Sequence, residues 1–280
     1  MTVTTNHNED TTAGSTSSAH DWHEAGDAWG HAATEWATLY EHYAMDILLA
    51  IFAKIGVDAD REVLDIACGS GLGTRLADAM GAQVHAIDAS ETLVRIAEDR
   101  SPASDIRLGS MFELPWSDDS FDAAMSINGI WGGCDGALDE AFRVLRPGGT
   151  LGISFWGRGG PMHLRDAFRV FAAHGPRQAI DGMVRTDGIG KEGVAEAMLE
   201  RAGFEVVERG MRLSVIEWPD ADTAWRALRS TGPATPALAN ADHETLKTEV
   251  LDAIDHCRDR NGIYRFCNDH QFVIARKPER

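Results

Sequence analysis

The sequence predicts an open, doubly wound α/β fold with a mostly parallel sheet, and three observations lead there. Short apolar runs of strand length recur between segments whose apolar residues return every three or four positions. The first run, VLDIA (63–67), breaks at once into the glycines Gly69, Gly71 and Gly73. The second, QVHAID (83–88), ends on an acidic residue, Asp88. Strands alternating with amphipathic helices imply parallel pairing through crossovers, with helices on both faces. Ligands of such sheets sit beyond the carboxyl ends of the strands.

Residues 1–20 are polar and lack the basic start and apolar core of a signal peptide, so they read as a disordered tail. From Trp22 to Ile55 the pattern is helical, with one break near Tyr40. Ile47, Leu48, Ile51, Phe52 and Ile55 share a helix face, and Gly56 stops that helix. Residues 21–56 are therefore assigned to a helical cap and 57–280 to the main domain. After VLDIA, a helical stripe of Leu72, Leu76, Ala79 and Met80 precedes QVHAID, and Leu93, Val94 and Ile96 mark the helix after it. IRLG (106–109) and FDAAMSI (121–127) are the next strands. A helix with Leu138, Ala141, Phe142 and Leu145 leads through the turn RPGG (146–149) to the strand TLGISFW (150–156).

Beyond that strand the pattern loosens. A helix covers 162–173, residues 175–190 resist assignment, and another helix spans 191–202. AGFEVVERGMRLSVIEW holds one or two strands, and Leu246, Val250, Leu251, Ile254 and Cys257 mark a late helix. YRFCNDHQFVIAR (264–276) reads as the last strand. The segment 158–190 is expected to form a lid insertion together with the N-terminal helices.

The hydrophobic fraction of 44% is ample for a core, and 280 residues suffice for one large domain with a cap. A formal net charge of −18 repels a phosphate backbone, which argues against a nucleic-acid partner. The four cysteines form no CxxC pair, so neither a disulfide framework nor a metal site is expected, and reduced thiols fit a cytoplasmic protein. No window has the length and apolarity of a membrane helix.

A strand, a glycine turn and a helix present free backbone N–H groups at a positive helix end. That suits a phosphate or the carboxylate end of an amino-acid-bearing nucleoside, and a tight turn alone would also explain it. A dinucleotide site wants G-x-G-x-x-G, but Thr74 stands where its third glycine belongs. Asp88 ends its strand facing the crevice, where a carboxylate can accept both hydroxyls of a ribose.

VLDIACGSGLG, VHAIDAS, IRLGSMFELPWSDDSFDAAMSINGIW and ALDEAFRVLRPGGTLGISFWG, in this order, resemble the class I S-adenosylmethionine-dependent methyltransferases, and within them the type 11 small-molecule group. The core of the resemblance covers residues 45 to 210, and AWGHAATEWATLYEH is similar to the cap of actinobacterial members. The resemblance implies a seven-stranded, Rossmann-like sheet with an antiparallel last strand and a helical N-terminal cap. It implies S-adenosyl-L-methionine as cofactor, with 57–280 as the domain that binds it. Gly69 and Gly71 would let the loop approach the methionine end, beside Ala67, with Asp65 as support. Asp88 would hold the ribose and Ala89 pack beside the adenine. Many relatives carry an Asp where this chain has Ser110, so adenine recognition would rest more on the backbone of Met111 and Phe112.

Asn128 and Trp131 follow the fourth strand, where the methyl group and the acceptor should meet; Asn128 is a candidate cofactor contact and Trp131 a wall of the acceptor pocket. Trp36 on the cap and Met162 in the lid are further candidates for that pocket. His163, in GRGGPMHLRD after the fifth strand, is the candidate general base, ahead of His31 and His42. The N/D-P-P-[YF] tetrapeptide of nucleic-acid amino-group methyltransferases is absent, and the chain reads SINGIW instead. The expected acceptor is a small apolar or aromatic metabolite, methylated on O, N or C. A monomer or homodimer without nucleic-acid or membrane partners is expected. Two alternatives stay open: a protein with the cofactor pocket but no methyl transfer, and an NAD-dependent oxidoreductase, against which Thr74 counts.

Overall fold

In the computed structural model, residues 21–177 and 188–279 are described. The tail 1–20 and part of the expected lid lie outside them. The sheet has seven strands in the order β3-β2-β1-β4-β5-β7-β6. These are β1 (Glu62–Ile66), β2 (Gln83–Asp88), β3 (Asp105–Leu108), β4 (Phe121–Ile127), β5 (Leu145–Trp156), β6 (Glu205–Trp218) and β7 (Tyr264–Arg276). Strands β1 to β5 run parallel, and β7 is antiparallel to both neighbours. From β1 the chain winds outward to β3 and returns to β4, so the order reverses between β1 and β4. That reversal opens the crevice in which such sheets bind ligands.

Strand alternation sorts the core into two layers. Val63 and Met125 point to one face and Leu64, Ile66 and Ala124 to the other, all buried. The first face is covered by α3 (Met45–Ile55), which buries Ile47, Leu48, Ile51, Phe52 and Ile55. A Cβ on Gly152 of β5 would stand 2.5 Å from Ile51 Cγ2 and 3.2 Å from Ile55 Cγ2, so the bare glycine admits this helix. Gly56 ends it in the left-handed region at φ 75°, as the sequence indicates. Helix α3 therefore belongs to the core, and the cap proper ends before Met45. The helices α4 (Leu72–Ala79), α5 (Glu91–Arg100), α6 (Asp135–Val144), α7 (Leu164–His174) and α8 (Val194–Arg201) complete the layers.

The cap is built from both ends of the chain. Its N-terminal part is α1 (Asp21–Gly30), the single turn α2 (Ala33–Glu35), a π-helical turn Trp36–Tyr40 and a 3-10 turn Glu41–Ala44. Between β6 and β7 the chain inserts α9 (Ala221–Arg229), α10 (Thr235–Asn240) and α11 (His243–Ala253). Asp220 and Asp242 cap α9 and α11 by accepting from the N–H groups of Thr223 and Thr245. Glu35 joins the two parts, taking Arg226 at 2.8 Å and Arg229 at 2.7 Å. Trp218 Nε1 donates to the Leu39 carbonyl at 2.8 Å. Helix α7, inside the expected lid, buries Leu164, Ala167 and Phe171 against this layer.

Candidate active site

The turn after β1 is held open by its backbone. Ala67, Gly69 and Gly71 have φ of 58°, 57° and 81°, where glycine is the low-cost residue. Asp88 braces this turn from the next strand: Oδ2 accepts from Gly69 N–H and Oδ1 from Ser90 N–H, each at 2.8 Å. Each carboxylate oxygen keeps a second lone pair, and Asp88 borders the cavity described below. Asp65 lies one layer deeper, 2% exposed, with Oδ2 accepting from the Thr74 hydroxyl at 2.9 Å. Thr74, which breaks the dinucleotide pattern, thus holds the carboxylate beneath the loop. Burial pushes Asp65 up to about 7, the nearby Asp88 adding to the shift and the Thr74 bond opposing it. Asp88 is raised too, chiefly by burial.

The end of β4 meets this turn closely. A Cβ on Gly129 would stand 2.5 Å from Ala67 Cβ and 2.7 Å from Ser126 Oγ. Asn128, at φ 53°, projects a side chain into a buried network. Its Nδ2 donates to the Tyr43 hydroxyl at 3.2 Å, and its Oδ1 lies 3.2 Å from His270 Nε2. The same nitrogen is 3.1 Å from Ser154 Oγ. Burial lowers His270 to about 3, so the ring is neutral and Nε2 carries the proton that Asn128 accepts. Tyr43 is pushed in the other direction by burial and stays a phenol.

Two spaces open at this reversal point. A niche of about 60 Å³ lies against the glycine turn, bordered by Trp36, Glu41, Tyr43, Asp65, Gly69 and Ser70, among others. A cavity of about 1030 Å³ extends outward over Asp88 and Ala89 and past the ends of β3 and β4. Trp36, Tyr43, Ala67, Gly69 and Ile127 border both spaces. Helix α1 covers part of the cavity: a Cβ on Gly26 would stand 2.0 Å from the Ala89 carbonyl oxygen. Among the described residues, no cluster of His, Cys, Asp and Glu suits a metal ion.

The structure brings most of the residues singled out in the sequence to these walls. Ala67, Gly69, Asp88, Ala89, Ser110, Met111, Phe112, Asn128, Trp36 and Trp131 border the cavity, and Asp65 borders the niche. Ser110 Oγ accepts from Phe112 N–H at 3.1 Å, so it orders its own turn. Three residues fall elsewhere. Gly71 turns toward α5, where a Cβ would meet Ala97 Cβ at 2.8 Å, and it touches neither space. Met162 is buried and forms a bridge with Asn268 of β7. His163 precedes α7, accepts the Cys267 N–H on Nδ1 at 3.2 Å, and lies outside both spaces. The base assignment of His163 rested on its following β5, but the chain turns along β7 there.

Trp22, Glu41 and Tyr43 border the spaces without having been singled out, while Trp29, paired in the sequence with Trp36 as a residue that could close over the cofactor, does border the cavity. For Trp29 the seven-residue spacing to Trp36 was a signal, and the two rings pack edge to face at 4.9 Å. Glu41 and Tyr43 could not be found by helical periodicity, because the π turn shifts the phase of the segment that carries them.

Comparison with known proteins agrees with the geometry. A family model described as "Methyltransferase domain" matches residues 64–153. The chain is 28% identical to the malonyl-[acyl-carrier protein] O-methyltransferase of Salmonella typhimurium, across 80% of this chain and 82% of that protein. It is 39% identical to a probable S-adenosylmethionine-dependent methyltransferase of Mycolicibacterium smegmatis, across 34% of this chain and 38% of that one. The YcgJ protein of Bacillus subtilis shares the fold with a TM-score of 0.60 at 17% identity, covering 84% of this chain and 100% of that one. The glycine turn, the braced Asp88 and these matches together support a class I S-adenosylmethionine-dependent methyltransferase domain in this chain, with the matched family model lying on residues 64–153.

Proposed function

We propose that S-adenosyl-L-methionine lies across the two spaces and that its methyl group passes to a small, apolar or aromatic metabolite in the outer cavity. The observation that carries this reading is the shared border: Trp36, Tyr43, Ala67, Gly69 and Ile127 belong to both spaces. The residues fit the cofactor. The acidic niche suits the amino-acid end, Asp88 with its spare lone pairs suits the ribose, and Ala89, Met111 and Phe112 flank a slot for the base.

When bound, the cofactor supplies a sulfonium methyl group already activated for displacement. The protein then has to hold an acceptor in line and keep water out, and such positioning is worth about 7–11 kcal/mol. Trp22, Trp29, Trp131, Met111 and Phe112 give the outer cavity apolar and aromatic walls. They favour a flat or apolar acceptor through burial of its surface. Among the described residues no histidine borders the cavity, whose carboxylates are Asp88, Glu113 and Asp135. The net charge of −18 opposes a nucleic-acid partner, and among the described residues no helix is long and apolar enough to cross a membrane.

Incubation of the purified protein with methyl-labelled S-adenosylmethionine and a cell extract tests this reading. Label should appear in the low-molecular-weight fraction and depend on the protein. Label confined to nucleic acid, or cofactor binding with no labelled product, would contradict it.

A further inference from the structure

Glu41 lies outside the region matched by the methyltransferase family model, residues 64–153, yet it reaches the innermost part of the site. In a regular α-helix, residues five apart point about 140° away from each other. Here Trp36–Tyr40 form a π turn, and the Glu41 N–H bonds to the Trp36 carbonyl. The wider π turn reduces that offset, and Trp36 and Glu41 both border the niche. The 3-10 turn that follows brings Tyr43 to the same border.

The Glu41 carboxylate is held firmly, at 9% exposure. One oxygen accepts from the Ser70 hydroxyl in the glycine turn, and the other accepts from Arg100 Nη1 at 2.7 Å. Arg100, on α5, also donates to the carbonyls of Ser70 and Ala37, each at 3.0 Å. These contacts use two of the roughly four lone-pair positions of the carboxylate. Across the niche stands Asp65, which burial raises to about 7, so at neutral pH it carries only part of a negative charge. Trp36 stands over Gly69, its Nε1 at 3.6 Å from where a Cβ would be. Indole N–H is a donor only, and it makes no hydrogen bond to a described residue. The niche therefore carries carboxylates and an indole N–H donor on its border, a combination complementary to a zwitterion.

We propose that Glu41 receives the α-ammonium group of the cofactor's amino-acid tail. This rests on the cofactor reading given under Proposed function. It makes Glu41 a specificity residue and makes Arg100 its positioning partner, tying tail recognition to the seating of the cap on α5.

The test is isothermal titration of the intact protein with three ligands: S-adenosylhomocysteine, its deaminated analogue lacking the ammonium, and 5′-methylthioadenosine lacking the whole tail. Wild-type protein should prefer S-adenosylhomocysteine over the deaminated analogue by about tenfold or more, the range of a charge-assisted contact. Glu41→Gln should erase most of that preference and leave 5′-methylthioadenosine affinity within about twofold. Because Glu41→Gln leaves Arg100 without its anion, the double variant Glu41→Gln with Arg100→Gln should show the same pattern if the single one unfolds. An equal loss for all three ligands would make Glu41 a brace of the cap only, and no change would remove it from recognition; either overturns the proposal. Wild-type protein that binds none of the three would overturn the cofactor reading beneath it.

Discussion

At the residue scale, the site consists of carboxylates placed at strand ends and tuned by what surrounds them. Asp65 shows the effect most clearly. Its folded-state pKa of about 7 lies above the ordinary carboxylate value, so between about 4 and about 7 the folded protein holds a proton that the unfolded chain releases. The Asp65 contribution to stability therefore falls as pH rises through that window. Asp65→Asn, which cannot ionise, should lose this dependence, and urea unfolding at pH 5 and pH 8 checks it. The variant should gain stability relative to wild type on going to the higher pH; a constant difference would contradict the burial argument. The glycines divide by neighbour. Gly71→Ala adds left-handed strain to a Cβ clash with Ala97 and should cost about 2 kcal/mol or more of stability. Spacing in the sequence shows that these glycines form a turn, but not which of them faces a helix and which faces a ligand.

Elements explain why some features were legible and others were not. Strands β1 to β5 announce themselves by apolar runs because parallel strands are covered on both faces. The break near Tyr40 is visible in the sequence, but its form is a π turn running into a 3-10 turn, and no side-chain period encodes that. Glu41 and Tyr43 reach the niche through it. The same limit applies at His163, where order along the chain suggested a position bordering the acceptor, while the β7 pairing of Met162 and the Cys267 contact take this stretch elsewhere. At the β5–α3 contact, Gly152→Ala should cost about 1–3 kcal/mol, since the added methyl would stand 2.5 Å from Ile51. A fall in melting temperature without loss of cofactor affinity is the expected readout, because the contact lies in the core away from both spaces.

For the whole molecule, the sheet order is what positions the site. The reversal between β1 and β4 opens the crevice, and residues 21–44 stand over it, braced from behind by the insertion 221–257. The N-terminal half of the cap and α11, marked by Leu246, Val250 and Leu251, were legible, whereas α9 and α10 were not, since they are short and their apolar residues match partners far away in sequence, such as Trp36 and Trp29. The acidic charge of −18 is a property of the whole surface, and it predicts no retardation of duplex DNA in a low-salt mobility assay. A salt-sensitive shifted band would contradict the small-molecule reading. The central claim is that Asp88 and the glycine turn hold the nucleoside of the methyl donor. It is tested most directly by calorimetric titration of S-adenosylhomocysteine into wild-type protein and Asp88→Ala. The account predicts saturable one-site binding to the wild type, weakened by about tenfold or more in the variant. Equal affinity in the two proteins would contradict it.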